Sequence, residues 1–374
     1  MSPVNVFSAL SLTMWAAILV WSFRQRKESW YHVLVLLLAT ATWWLGECVA
    51  IRLGKYQYAE FPSWLVMPFA GSPSAGDGLE RTLSRLHTWL GIPRVCCQVP
   101  LRQTSWKIPF PIIALESSLV VAFLRLSFFR LRNKGFAAAC AAGCFSALLM
   151  VTLAAILDPV VSTTEWCGLT KDPCYQGLLN VRLWHWFTDE HYTGYWFGVP
   201  MVNYVSWFVG MFVFSFMARL DDDGPRGLIR RYKHWWGYLL AVVGTLVLVF
   251  LLELPLKIAI DLILVRGPEF IPIPRNVWEF VVVGVLIASN LFVIGRSGKV
   301  HPKPRKVGWV GMAPPVAVLA FCLLYLCLEP RLVLFVVWAV SAGVTAVVGF
   351  LPTIARRMAP PAGPQIPAES GVHV

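Results

Sequence analysis

Residues 136–157 read FAAACAAGCFSALLMVTLAAIL and contain no charged side chain. About 20 apolar residues in a helix are enough to cross the hydrocarbon core of a bilayer. Similar apolar stretches recur along the whole chain of 374 residues, of which 57% are hydrophobic and only 14% are charged. A soluble domain of this length needs more charge to cover its surface. The sequence therefore predicts an all-α, polytopic bundle of transmembrane helices without a soluble catalytic domain.

The apolar stretches predict about nine membrane spans. We place these spans at residues 4–23, 31–51, 109–129, 136–157, 196–218, 236–260, 277–295, 308–327 and 331–350. The connections after the odd-numbered spans are short and basic, as in Arg24 to Lys27 and Arg130 to Lys134. Because short basic loops stay on the cytoplasmic side, we expect the N-terminus outside and the C-terminus inside. This placement also explains the net charge of +12 without a nucleic-acid partner.

Residues 1–357 are predicted to form a single transmembrane domain, and the tail at 358–374 is rich in Pro, Ala and Gly and predicted to be disordered. In the first long outer connection, leucines at helical spacing predict an amphipathic helix over residues 77–91. The second long outer connection contains Cys167 and Cys174. Of the nine cysteines, these two are the best placed for a disulfide, since the topology puts them on the oxidising side.

Several carboxylic acids lie inside the predicted spans, where an ionisable side chain is costly and marks a functional site by default. Glu47, Glu116, Asp158 and Glu279 are expected nearer the outer side, and Glu253 lies between that side and the midplane. Acids from several helices at one depth predict a single cavity in that leaflet. The alternative for Asp158 is a helix cap.

Glu253, Lys257 and Asp261 follow each other at i, i+4 and i+8. This spacing also fits a structural ladder of ion pairs along one helix face.

The stretch from Tyr192 to Trp207, YTGYWFGVPMVNYVSW, is dense in aromatic residues. Gly198 and Pro200 interrupt the backbone at membrane depth, which is tolerated where the chain lines a protein cavity. Asn203 then enters the membrane one turn further on. We expect it in a pocket for an apolar ligand, surrounded by Tyr195, Trp196, Tyr204 and Trp207. The alternative is an aromatic belt at the membrane interface that tolerates one Asn.

At these residues the sequence resembles the carotenoid biosynthesis protein family of polytopic membrane proteins. The matching segments are Glu47 with the GKYQY loop at 54–58, the LDPV segment at 157–160, and the FGVPMVN segment at 197–203, which runs on to Trp207 and Phe208. The best-known members are hydratases that add water to the terminal double bond of γ-carotene or of C50 bacterioruberin precursors. The resemblance covers residues 40–220, and the last three spans carry no match. It departs at Tyr204 and Ser206, where family members usually have Phe and Gly.

Hydration of an unactivated alkene requires a proton donor and then attack by water, and a carboxylic acid kept neutral in an apolar site can supply the proton. We expect Asp158 or Glu47 to be this acid and Asn203 to position the water. Aromatic faces stabilise a carbocation, a role that suits Trp196 or Trp207. Tyr195, Tyr204, Glu116 and Tyr58 complete the predicted substrate site. No cofactor or metal is required by this reaction.

The expected partners are an apolar polyene or isoprenoid drawn from the bilayer and the membrane lipids themselves. We expect a multi-pass protein of the bacterial cell (inner) membrane. Three alternatives remain open: a proton-initiated terpene cyclase with the same acids, a prenyl-diphosphate transferase suggested by the acidic run 221–223, and a lipid or isoprenoid transporter. The transferase needs a second acidic cluster, which the cytoplasmic loops lack. Pro255 inside a span fits a transporter's broken helix.

Overall fold

The computed structural model describes residues 2–25, 29–52, 56–58, 61, 63–67, 108–131, 135–164, 181, 183–186, 196–220, 235–297 and 308–358. Within these residues the chain forms nine α-helices. Their bounds are α1 Pro3–Arg24, α2 Ser29–Arg52, α3 Phe110–Arg130, α4 Phe136–Val161, α5 Met201–Leu220, α6 Trp235–Phe270, α7 Arg275–Ser297, α8 Trp309–Leu328 and α9 Leu332–Met358. Each helix overlaps one of the predicted hydrophobic segments, so the chain is mainly helical, as the sequence predicts.

Seven helices in the described part of the chain are long and apolar enough to cross a membrane. They are α1, α3, α4, α5, α7, α8 and α9. In α2 the apolar stretch of described residues, His32–Cys48, is shorter. The number of membrane crossings and the orientation of the chain remain predictions.

Two helices differ in length from the predicted spans. Helix α5 begins at Met201 and not at residue 196, because Trp196 to Val199 form a turn and Pro200 follows it. Helix α6 continues to Phe270, ten residues beyond the predicted end, and passes through Pro255 without a break. A proline removes only one helical N–H donor, and the flanking turns keep their hydrogen bonds. The broken helix considered for a transporter is therefore not formed at Pro255.

Helix α4 occupies the centre of the bundle and packs against α3, α5, α7, α8 and α9. Its small residues let the neighbouring backbones approach closely. The closest approach is at Gly143, where an added Cβ would lie 2.8 Å from Cδ2 and 2.9 Å from the backbone oxygen of Phe212 on α5. Helices α7 and α9 lie at the periphery. Only 11% of the apolar stretch of each is buried inside the bundle, against 89% for α3.

Short strands join the connections at one end of the bundle. Strand β1 (Tyr56–Tyr58) follows α2, β2 (Val66–Met67) pairs with β3 (Ile108–Pro109) just before α3, and β4 (Ser162–Thr164) follows α4. Strand β5 (Trp184–Trp186) lies between β1, to which it is antiparallel, and β4, to which it is parallel. We call this the capped end: it contains the C-terminal ends of α2 and α4 and the N-terminal ends of α3 and α5.

Several predictions fall on residues outside the described ranges. These are the amphipathic helix at 77–91, the Cys167–Cys174 disulfide, the acidic run at 221–223, and the tail after Met358, which itself ends α9. The position of Tyr195 in the predicted pocket is also outside these ranges.

The Gly143 contact makes a prediction for stability. We expect Gly143→Ala to lower the stability of the folded bundle by about 1–3 kcal/mol, because the new methyl group overlaps a backbone atom that cannot move away easily. Thermal unfolding of the purified protein in detergent measures this change. Gly284→Ala on α7 is the matched control, since nothing lies within 4 Å of the added Cβ. Equal melting temperatures for the two variants would contradict the close packing of α4 on α5.

Candidate functional site at the capped end

Three carboxylic acids from three helices approach each other just below the capped end. At 1.5 Å per residue, Asp158 lies about 5 Å from the end of α4, Glu47 about 8 Å from the end of α2, and Glu116 about 9 Å from the start of α3. Glu116 interacts electrostatically with both of the other carboxyl groups, and Asp158 interacts with Glu47. Three of the four acids that were expected together thus interact with one another, and the fourth, Glu279, is buried on α7.

Asp158 is held by Asn203, one of its predicted partners in the site. The Asn203 amide Nδ2 donates a hydrogen bond to Asp158 Oδ2 over 2.5 Å, although the residues are 45 positions apart in sequence. Both side chains are buried, with relative exposures of 1% for Asp158 and 8% for Asn203. A buried carboxylate requires a donor of this kind, since burial removes its hydrogen bonds to water. The bond also ties the end of α4 to the first turn of α5.

Trp196 secures the same turn of α4 through the backbone. Pro159 has no N–H, so the carbonyl oxygen of Ala155, four residues earlier, loses its usual helical donor. The indole Nε1 of Trp196 donates to this oxygen over 3.0 Å. A hydrogen bond across the two segments thus replaces the one that proline removes, directly beside Asp158.

The turn that carries Trp196 has a strained backbone. Phe197 and Gly198 have φ values of +50° and +79°, and the Val199 N–H donates to the Trp196 carbonyl over 3.0 Å. Two central residues with positive φ are typical of a type I′ turn. Gly198 adopts this conformation readily, whereas Phe197 does so at a cost, and such strain concentrates at functional sites. The turn holds both Trp196 and Asn203 against the C-terminal end of α4.

Glu47 is held by a residue from the cap. The Tyr58 hydroxyl donates a hydrogen bond to Glu47 Oε2. Tyr58 is buried, and its ring contacts Trp184 of β5 edge to face, with 6.3 Å between ring centroids. The small sheet therefore fixes the position of the Glu47 partner.

Glu116 differs from the other two acids in its hydrogen bonding. Its side chain is 4% exposed, and Oε2 is buried without a hydrogen-bond partner among the described residues. The neighbouring hydroxyl groups of Ser117 and Ser118 donate to backbone carbonyls of α3 instead. Glu116 thus differs from Asp158 and Glu47, whose carboxyl groups each accept a hydrogen bond from a neighbouring side chain.

One cation approaches the acids from α6. Lys257 interacts electrostatically with Glu116 and forms an ion pair with Glu253, four residues earlier on the same helix. Glu253 is buried next to Gly210 of α5, where an added Cβ would lie 3.3 Å from Glu253 Oε1. The predicted ion ladder is present in its first step, and the side chain of Asp261 lies outside the described residues. Nothing in the sequence indicates that Lys257 lies near Glu116 of α3.

The remaining predicted residues lie on α5. Tyr204 is buried, whereas Trp207 is half-buried and packs against the main hydrophobic core. Trp196 donates a hydrogen bond to the Ala155 carbonyl, and Tyr58 donates one to Glu47. Each therefore has a positioning role besides the substrate contact that was predicted for it. The contact of Trp184 with Tyr58 was not predicted, because neither the spacing nor the composition of the sequence indicates that β5 pairs with β1.

The donor set of the site consists of carboxylates, one amide, phenols, indoles and one ammonium group. Within the described ranges, no group of three or more His, Cys, Asp or Glu side chains is arranged to hold a metal ion. Acids in an apolar surrounding next to aromatic rings can transfer protons and can stabilise a cation. Comparisons with protein-family models, with curated proteins and with solved structures gave no match for this chain.

The role of Trp196 can be tested by a double-mutant cycle with Pro159. Trp196→Phe leaves the Ala155 carbonyl buried without a donor, so we expect a loss of about 1–3 kcal/mol in the free energy of unfolding. In the Pro159→Ala background the same change should cost much less, because the substituted residue regains a backbone N–H that donates to that carbonyl. Chemical unfolding of the four proteins in detergent measures both costs. An equal cost in the two backgrounds would show that the indole N–H has no such role.

Proposed function

We propose that this protein is a membrane enzyme of carotenoid or isoprenoid biosynthesis that hydrates a terminal carbon–carbon double bond of a polyene by acid catalysis. The observation that carries the proposal is the group of Glu47, Glu116 and Asp158 inside the bundle, with the Asn203 amide on Asp158 and the Trp196 indole one helical turn away. The resemblance of residues 40–220 to carotenoid hydratases points to the same chemistry.

The reaction divides into two proton transfers. A carboxylic acid of the cluster donates its proton to the terminal carbon of the alkene, and the π electrons form the new C–H bond, leaving a tertiary carbocation. Water then attacks the cation and forms the C–O bond, and a carboxylate accepts the proton that this water releases. Asp158 and Asn203 together offer an acceptor and a donor for such a water. Positioned acids and bases accelerate reactions by typically ~10²–10⁴-fold.

The aromatic residues around the acids suit a hydrophobic, cationic intermediate. Trp196, Phe197 and Phe280 form a run of edge-to-face contacts with centroid distances of 5.3 and 6.4 Å. Ring faces attract positive charge without forming a bond to it, so they protect a carbocation until water arrives. Phe280 lies on the peripheral helix α7, which leads from this cluster to the lipid-facing side of the bundle.

A polyene dissolves in the bilayer and not in water, so we propose that the substrate enters sideways from the lipid. This entry requires a multi-pass arrangement with the capped end at one leaflet. We propose the bacterial inner membrane as its location, with the capped end outside, as the basic loops predict.

Pigment analysis of a carotenoid-producing bacterial host that expresses the chain tests this function. We expect a product heavier by one water with the wild type, and at least ~100-fold less of it with Asp158→Asn, because the base that accepts the proton of water is lost. Glu269→Gln, which removes an exposed acid from α6, should leave the product unchanged. Chromatography with mass detection measures the product.

Unchanged pigments in hosts that supply lycopene, γ-carotene and C50 precursors would contradict the proposed hydratase function. A new product with the mass of the substrate and an added ring would show instead that an internal alkene captures the cation, as in a cyclase.

A further inference from the structure

We infer that Glu116 is the catalytic proton donor of the site, while Asp158 and Glu47 act as carboxylate acceptors. The inference rests on the proposed function, and it deepens that function by assigning separate roles to the three acids. The sequence favours Asp158 or Glu47 as the donor, so the structure leads to a different assignment. Three features of Glu116 support it: its hydrogen bonding, the charges around it and its burial.

The first feature is the pattern of hydrogen bonds. Asp158 Oδ2 accepts a hydrogen bond from Asn203, and Glu47 Oε2 accepts one from Tyr58. A hydrogen bond to the charged form of an acid favours that form. Glu116 Oε2 receives no such bond from the described residues, so no hydrogen bond from them stabilises a negative charge on this oxygen. Glu116 is thus the member of the group best suited to carry a proton.

The second feature is the charge around Glu116 on every side from which an ionisable group interacts with it. Glu47 approaches from α2, Asp158 from α4 and Lys257 from α6. Two like charges oppose ionisation of Glu116, and the single cation is already paired with Glu253. A proton on Glu116 removes both repulsions at once, which favours Glu116 as the position of the proton.

The third feature is burial. Glu116 is 4% exposed, and its unpartnered Oε2 shares one region with Asp158 and Glu47. A buried polar atom without a partner in the protein is uncommon and calls for an explanation, and a bound water or a reacting group is one such explanation. In the catalytic step, the Oε2–H bond breaks and the proton joins the terminal alkene carbon, which leaves Glu116 as a carboxylate.

The cycle closes within the cluster. Water adds to the cation and gives its proton to Asp158, and a second water then carries a proton from Asp158 to Glu116. The sum is addition of one water to the alkene, with both acids returned to their starting forms. The electrostatic interaction of Glu116 with Asp158 shows that the two groups are close enough to influence each other's charge.

The test uses the full-length protein with Glu116→Gln, Glu116→Asp and the matched control Ser117→Ala. Ser117 is equally buried on the same turn of α3, and its hydroxyl only bonds the helix backbone. Two readouts are taken: the hydrated product in a polyene-producing host, and the infrared carbonyl band of a protonated carboxylic acid in the purified protein. The second readout does not depend on any substrate.

We expect Glu116→Gln to lose the infrared band and to reduce the product by at least ~100-fold, while Ser117→Ala keeps both. Glu116→Asp should restore the band and part of the product, which separates loss of the acid from loss of the fold. A wild-type level of product with Glu116→Gln would overturn the assignment and leave the hydratase function standing.

Two further outcomes also decide the matter. Survival of the infrared band in Glu116→Gln, with its loss in Asp158→Asn, would assign the proton to Asp158 and overturn the inference. Absence of product with the wild type itself would refute the hydration step, and with it donation by Glu116 to an alkene. In that case the infrared band alone reports which acid holds the proton.

Discussion

A buried carboxylate in an apolar bundle needs a hydrogen-bond donor from the protein, because lipid offers none. The bond from Asn203 to Asp158 meets this need, and it sets the arrangement of the helix ends around Asp158. The bond requires the first turn of α5 to lie against the last turn of α4. The strained turn at Phe197 and Gly198 and the indole of Trp196 maintain that contact. The small residues of α4 permit it further along, where Gly143 meets Phe212.

The capped end serves both as a structural closure and as the support of the acids. Strand β5 connects the chain that follows α2 with the chain that follows α4, and Tyr58 reaches from β1 to Glu47. One small sheet thus fixes the partner of Glu47 and joins the chain segments that follow two of the helices that carry the acids. The peripheral helices α7 and α9 have little buried surface, so their apolar faces are exposed at the side of the bundle. This arrangement suits the proposed chemistry on an apolar molecule.

The helices, the acids and the Asn203 site could be predicted from sequence because hydrophobic runs and costly polar residues are local signals. The partner of Asp158 could be suspected for the same reason, since Asn203 is polar at membrane depth. The bond from Trp196 to the Ala155 carbonyl could have been found from Pro159, which removes that carbonyl's donor. The strands and the approach of Lys257 to Glu116 could not, because both depend on how distant segments pack. Helix α6 continues ten residues beyond its predicted end at residue 260.

A double-mutant cycle on Asp158 and Asn203 tests the central claim most directly. The free energy of unfolding is measured in detergent for the wild type, Asp158→Leu, Asn203→Leu and the double variant. Each single change should be costly, because it leaves a buried polar group without its partner, whereas the double change should cost clearly less than the sum. We predict a coupling energy of about 1–3 kcal/mol. Additivity to within about 0.5 kcal/mol would show that the two side chains do not depend on each other, and the site as described would not exist.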